Sequence, residues 1–111
     1  MLAKKYKLTR GGAMDDVFKK GYGASGRFFL MKYMPSAGNI CAFSITTSAK
    51  LSKKATERNL VRRRVFEILR LSQSLTSGKK YDIVFLARKS SINASYNALC
   101  ADVTELLKKL P

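Results

Sequence analysis

Apolar positions along the chain follow two periods, and each period predicts its own kind of element. Tyr96, Leu99, Cys100, Val103, Leu106, Leu107 and Leu110 recur three and four apart, which predicts a helix with one buried stripe, beginning near Asn93 or Ser95. A second helix is predicted over Ala55–Leu71, where Val61, Val65, Ile68 and Leu69 fall on one face at about 100° per residue. A shorter one spans Ala13–Lys20. Met14, Val17 and Phe18 share a face there, Asp15 and Asp16 suit its positive end, and Gly21 suits its stop.

Period-two and continuous apolar runs mark the strands. "RFFLMKYM" (Arg27–Met34) and "ICAFSITT" (Ile40–Thr47) flank the turn chemistry of "PSAGN", so these two strands are expected to form a hairpin. Phe29, Met31 and Tyr33 lie on one face of the first strand, with Phe28, Leu30 and Met34 on the other. One face packs on helices; the other is either covered too or a platform for bases. "YDIVFLAR" (Tyr81–Arg88) reads as a strand with an almost continuous apolar centre, while "GYGASG" and "SQSLTSGKK" read as loops. Nothing marks a repeat or a second domain, so residues 1–111 are expected to form one small α/β sandwich.

Charge changes this picture. Lys and Arg number 22 against 7 acidic residues, a formal net charge of +15, while 46% of the chain is apolar. The apolar share supports a core, and the charge points to a polyanionic partner. A membrane is disfavoured, because no apolar run approaches the roughly 18–20 residues of a spanning helix. The start, "MLAKKYKLTRGG", has no apolar core behind its charges, and a cytoplasmic protein is the expectation.

The charge is concentrated in "KKATERNLVRRRVFEILR" (Lys53–Arg70). On the helical wheel Asn59, Arg62, Arg63 and Arg70 gather beside the apolar face, with Arg58 at their border. Arg64 lies away from them, next to Leu60 and Leu71. Lys50, Lys53 and Lys54 extend the charge ahead of the helix. A charge run is often only a solvated face, but such faces mix signs, and this one has only Glu57 and Glu67. Arginine within the helix also suits bidentate phosphate contacts.

Independent catalysis is not legible. The chain has no histidine, its acidic residues are scattered, and "GYGASG" lacks the Lys-Ser/Thr ending of a phosphate loop. No catalytic and no metal-ligating residues are assigned. Cys41 and Cys100 form no CxxC and read as small buried hydrophobes.

"KKATERNLVRRRVFE" resembles the signature of the protein subunit of bacterial ribonuclease P, a run of the type Lys-Ala-x-x-Arg-Asn-Arg-Ile-Lys-Arg-x-x-Arg-Glu. "KKYKLTR", "DDVFKKG", "GRFFLMKY", "YDIVFLARK" and the closing "LLKKL" match further family segments in order, over nearly the whole chain. The resemblance implies an α/β (α+β) two-layer sandwich of about four strands and three helices. Their order is α-β-β-(β)-α-β-α, with a left-handed crossover where the general rule is right-handed. It implies an RNA-binding subunit of the endonuclease that removes the 5′ leader of precursor tRNA, with catalysis by the RNA subunit and its magnesium. No cofactor is expected on the protein alone. The partners implied are the catalytic RNA and precursor tRNA, with no obligate protein partner.

Carried over position by position, Lys54, Arg58, Asn59, Arg62, Arg63 and Arg88 match family motifs; Lys50, Lys53, Arg64 and Lys89 complete the expected RNA-binding set. Asn59 either fixes the helix start or bonds RNA. Phe18 matches an aromatic of the family's leader cleft and equally suits plain core; Phe29 and Tyr33 are placed with it. Leu60 and Phe66 depart from the signature, Arg64 is extra, and Met14 and Lys32 stand where the family often has aromatics. A structural RNA-binding protein of ribosomal type, without a leader cleft, is the alternative.

Overall fold

The computed structural model describes residues 12–36, 41–47 and 51–111, with side chains in the first helix described from residue 16. Helices are α1 (Gly12–Lys20), α2 (Ala55–Leu71), the four-residue α3 (Gln73–Thr76) and α4 (Tyr96–Lys108). Strands are β1 (Tyr22–Ser25), β2 (Phe29–Pro35), β3 (Ala42–Thr46) and β4 (Tyr81–Ala87). They form a four-stranded sheet in the order β1-β2-β4-β3. The α+β sandwich and the α2 limits agree with expectation; α3 adds a short helix inside a stretch read as loop.

Strand pairing differs from the expected hairpin. β4 lies between β2 and β3, antiparallel to the first and parallel to the second. Ile83, Val84 and Phe85 are all buried, so consecutive side chains of β4 are covered on both faces, the signature of a central strand. Such a strand needs a partner on each side, and β2 and β3 fill those places. The actual hairpin joins β1 to β2, with Tyr22 opposite Tyr33 and Ser25 opposite Leu30. β1 comes from "GYGASG", whose small, exposed residues carry no strand pattern because it is a thin edge strand.

The main core lies on one face of the sheet. Phe29, Met31, Phe43, Ile45, Ile83 and Phe85 meet Val61, Val65, Ile68 and Leu69 of α2 and Leu99, Val103, Leu106 and Leu107 of α4. Phe29 and Phe85 pack edge to face at 6.2 Å. Burying each such ring contributes about 2–3 kcal/mol. Cys41 belongs to this core as expected, with its thiol donating to the Lys79 carbonyl at 3.3 Å; Cys100 packs at its margin.

α1 packs on the opposite face, over β2 and β4. Val17 and Val84 are fully buried yet stand outside the main core. Lys32, whose side chain alternates away from Met31 and Tyr33, donates to the Phe18 carbonyl at 3.4 Å. Gly21 makes the stop possible: a Cβ there would lie 2.4 Å from the Val17 carbonyl oxygen. The far faces of Ser44 and Thr46 on β3 align with Val84 and Leu86 on β4 and stay half-buried beyond α1, except fully buried Val84. This strip lies on the sheet face that α1 packs on.

Candidate nucleic-acid interface

The basic surface is built on α2. Its start has no side-chain cap at Lys54; Ser52 organises it instead. The Ser52 hydroxyl accepts from the Lys54 amide at 3.1 Å and donates to the Glu57 carboxylate at 2.6 Å. The Arg58 guanidinium donates to the Ser52 carbonyl at 2.7 Å. Lys53 and Lys54 are exposed beside it, and Lys50 lies outside the described residues. Glu57 is thus bonded to a hydroxyl and, among the described residues, forms no ion pair with an arginine.

One turn on, Arg62 donates to the Asn59 side-chain oxygen at 2.9 Å and to the Thr47 hydroxyl at 2.6 Å. Asn59 therefore orients an arginine and does not fix the helix start. Thr56, Asn59, Arg62 and Arg63 line an open concavity of about 390 Å³. Their spacing of three, four and seven puts them on one helical face. Thr47 follows β3, so Arg62 ties this face to the outer edge of the sheet.

Among the described residues the ion pairs are Arg70 with Glu67 and Lys108 with Glu105. Hydrogen bonding from Arg70 holds the Glu67 carboxyl below the usual carboxylate range. Arg58, Arg62, Arg63 and Arg64 have no ion pair in that set and keep a field available to phosphate.

The remaining expected residues divide. Arg64 turns to the other side of α2 and donates to the Ala94 carbonyl at 3.2 Å. Phe66 packs against the core. Lys89 lines a second concavity of about 480 Å³ with Ser52, Glu57 and Asn93, close to Arg58. Arg88 points elsewhere, to the Ser25 hydroxyl at 2.6 Å and the Gly26 carbonyl at 3.3 Å. It pins the tip of the β1–β2 hairpin and does not join the α2 cluster.

The expected cleft aromatics are corrected. Phe29 is 0% exposed in the main core, and Tyr33 packs against the same core. Both alternate to the sheet face opposite α1, so neither shares a wall with Phe18. Phe18 itself is half-buried. Its carbonyl accepts from Lys32, on the sheet face that α1 covers.

Four contributors escaped the sequence reading. Thr47, Ser52 and Thr56 are three. The fourth is Asp102 on α4, whose carboxylate accepts from the Arg27, Phe28 and Phe29 amides at 2.8, 2.9 and 3.2 Å. A Cβ at Gly26 would come within 2.7 Å of that carboxylate. The signal was present: Asp102 lies three residues after Leu99 and four before Leu106, an acid on the apolar stripe. Among the described residues no three His, Cys, Asp or Glu side chains come together as metal ligands.

Comparison with known proteins identifies a family and a shared fold. The family model described as Ribonuclease P matches residues 2–111. A ribonuclease P protein component of Caldanaerobacter subterraneus subsp. tengcongensis is 34% identical over 112 residues, covering 100% of this chain and 94% of that protein. One from Clostridium botulinum is 30% identical over 106 residues, covering 96% and 95%. Among solved structures, an RNase P protein from Thermotoga maritima superposes with a TM-score of 0.85 at 24% identity, covering 95% of this chain and 97% of that one. An RNase P protein from Staphylococcus aureus gives 0.83 at 21% identity, covering 93% of each.

Proposed function

The chain belongs to the ribonuclease P protein family and acts in tRNA processing as a subunit associated with ribonuclease P RNA; on that premise we propose how its surfaces divide the work. The α2 face of Arg62, Arg63 and Asn59, with Arg58, Lys53, Lys54 and Lys89 at the adjoining end, binds the RNA subunit. A trough on the sheet face beside α1, with Phe18 and Lys32 at its wall, takes the single-stranded 5′ leader of precursor tRNA. The protein contributes no catalytic group. Hydrolysis belongs to the RNA and its magnesium, in the cytoplasm.

The observation that carries this reading is the one-sided set of arginines without ion pairs among the described residues. Cations held together on one side of the folded protein repel one another, and phosphate relieves that repulsion. By offsetting charge between two RNAs, the protein lowers the magnesium needed for docking. By holding the leader, it presents the scissile bond in register. A ribosomal-type structural role is not favoured, since the family match extends over residues 2–111.

The test compares affinity of the reconstituted holoenzyme for precursor and mature tRNA. Tighter binding of precursor that depends on the protein supports the leader trough. Equal affinity for the two would overturn it.

A further inference from the structure

Tyrosines and lysines meet at the end of the sheet away from Thr47 and Arg62. Tyr22 on β1 stands directly opposite Tyr33 on β2. Tyr81 on β4 lies two residues before Ile83, the partner of Tyr33, so all three side chains share one sheet face. Their rings form a row: Tyr22 to Tyr33 is 5.8 Å between centroids, and Tyr33 to Tyr81 is 5.7 Å. Tyr33 and Tyr81 close the end of the core. Tyr22 does not, for it is 66% exposed, the most open of the large apolar side chains among the described residues.

A lysine pair stands close in sequence to each part of this row. Lys19 and Lys20 end α1 just ahead of Tyr22, and a Cβ on the intervening Gly21 would be 3.0 Å from the Tyr33 carbonyl oxygen. Lys79 and Lys80 immediately precede Tyr81. Lys108 and Lys109 precede Leu110 and Pro111, whose carbonyls accept from the Lys79 ammonium at 3.1 Å and the Tyr81 hydroxyl at 3.3 Å. Lys19, Lys20, Lys80 and Lys109 are exposed. Closing a core requires neither these charges nor an open tyrosine. Aromatic faces ringed by mobile point charges are the chemistry that holds single-stranded nucleic acid.

This surface is separate from the α2 arginines. β3 and β4 run parallel, so Thr47 marks one end of the sheet and Tyr81 the other, about 20 Å apart along the strands. α1 connects the two regions in sequence: Phe18 is half-buried on it, and Lys20 ends it two residues before Tyr22. We infer that the Tyr22–Tyr33–Tyr81 row and its lysines bind the distal, unpaired part of the precursor's 5′ leader, which passes the end of α1 on leaving the trough. This rests on the leader reading above and extends it. Lysine and stacking tolerate any base, which suits a substrate segment whose sequence varies. Arginine forks suit the constant RNA partner.

The experiment uses holoenzyme and two precursors, with leaders of about 4 and about 15 nucleotides. The double variant Tyr22→Ala, Lys80→Gln is expected to bind the long-leader precursor about tenfold more weakly. Its affinity for the short-leader precursor and for the RNA subunit should be unchanged. Tyr22→Phe, which keeps the ring, should bind as wild type does. If the double variant melts early, Lys80→Gln alone carries the test and should flatten the long-leader salt dependence by about one unit of slope. Unchanged long-leader affinity and slope, or equal losses for both leaders, overturn the inference. If wild-type holoenzyme binds short-leader precursor no better than mature tRNA, the trough itself fails, and that result needs no variant.

Discussion

Arg62 of α2 donates to the Thr47 hydroxyl at 2.6 Å across fifteen residues of sequence, while its other terminal nitrogen holds Asn59. One guanidinium thus locks the basic helix to the edge of the sheet and carries part of its charge. Arg63, one position on, is exposed. Replacing either by Ala should weaken RNA-subunit binding by about 1–2 kcal/mol and flatten its salt dependence. Only Arg62→Ala should also lower stability, by about 0.5–1.5 kcal/mol. Urea unfolding beside RNA titration separates the two effects; unchanged affinity and salt slope for either variant would return that arginine to the solvated face.

Phe18 tests the trough. Its ring is half-buried while Val17 beside it is fully buried. Phe18→Leu should reduce affinity for precursor severalfold and leave RNA-subunit binding intact. Loss of both, with a lower melting temperature, would assign Phe18 to packing alone.

Asp102 is predicted to be the strongest single polar contributor to the fold described here. It satisfies three backbone amides of the β1–β2 hairpin from a different helix. Asp102→Ala should cost about 2–3 kcal/mol, since the amides at Phe28 and Phe29 lose a charged acceptor in partly buried surroundings. A denaturant midpoint equal to wild type would contradict this.

Cys41 is 4% exposed, and burial pushes its thiol above the usual range. The thiolate is the reactive form, so iodoacetamide at neutral pH should modify Cys41 only on unfolding. Mass mapping of labelled peptides with and without urea reads this directly. Rapid labelling of Cys41 in the folded protein would show that its end of the core opens.

These contacts explain what was legible in the sequence. The α2 helix was readable to the residue because seventeen positions repeat one period, and Val61, Val65, Ile68 and Leu69 are its buried face. The sheet was less so. Period two tells which face a side chain takes but not which strand lies alongside, and "PSAGN" suggested a neighbour that β4 displaced. β1 was hidden because an edge strand of Tyr, Gly, Ala and Ser buries too little to leave a pattern. Phe29 and Tyr33 were correctly set on one face, but which face met α1 depends on tertiary packing. The arginine cluster was legible as a set, while the turns of Arg64 to Ala94 and of Arg88 to Ser25 were decided by distant carbonyls and hydroxyls.

The most direct measurement is cleavage of a 5′-extended precursor tRNA at low magnesium, by protein alone, by the ribonuclease P RNA of the protein's own host alone, and by the two together. The account predicts leader removal only in the mixture. Cleavage by the protein alone, or no rescue of the RNA by the protein, would contradict it.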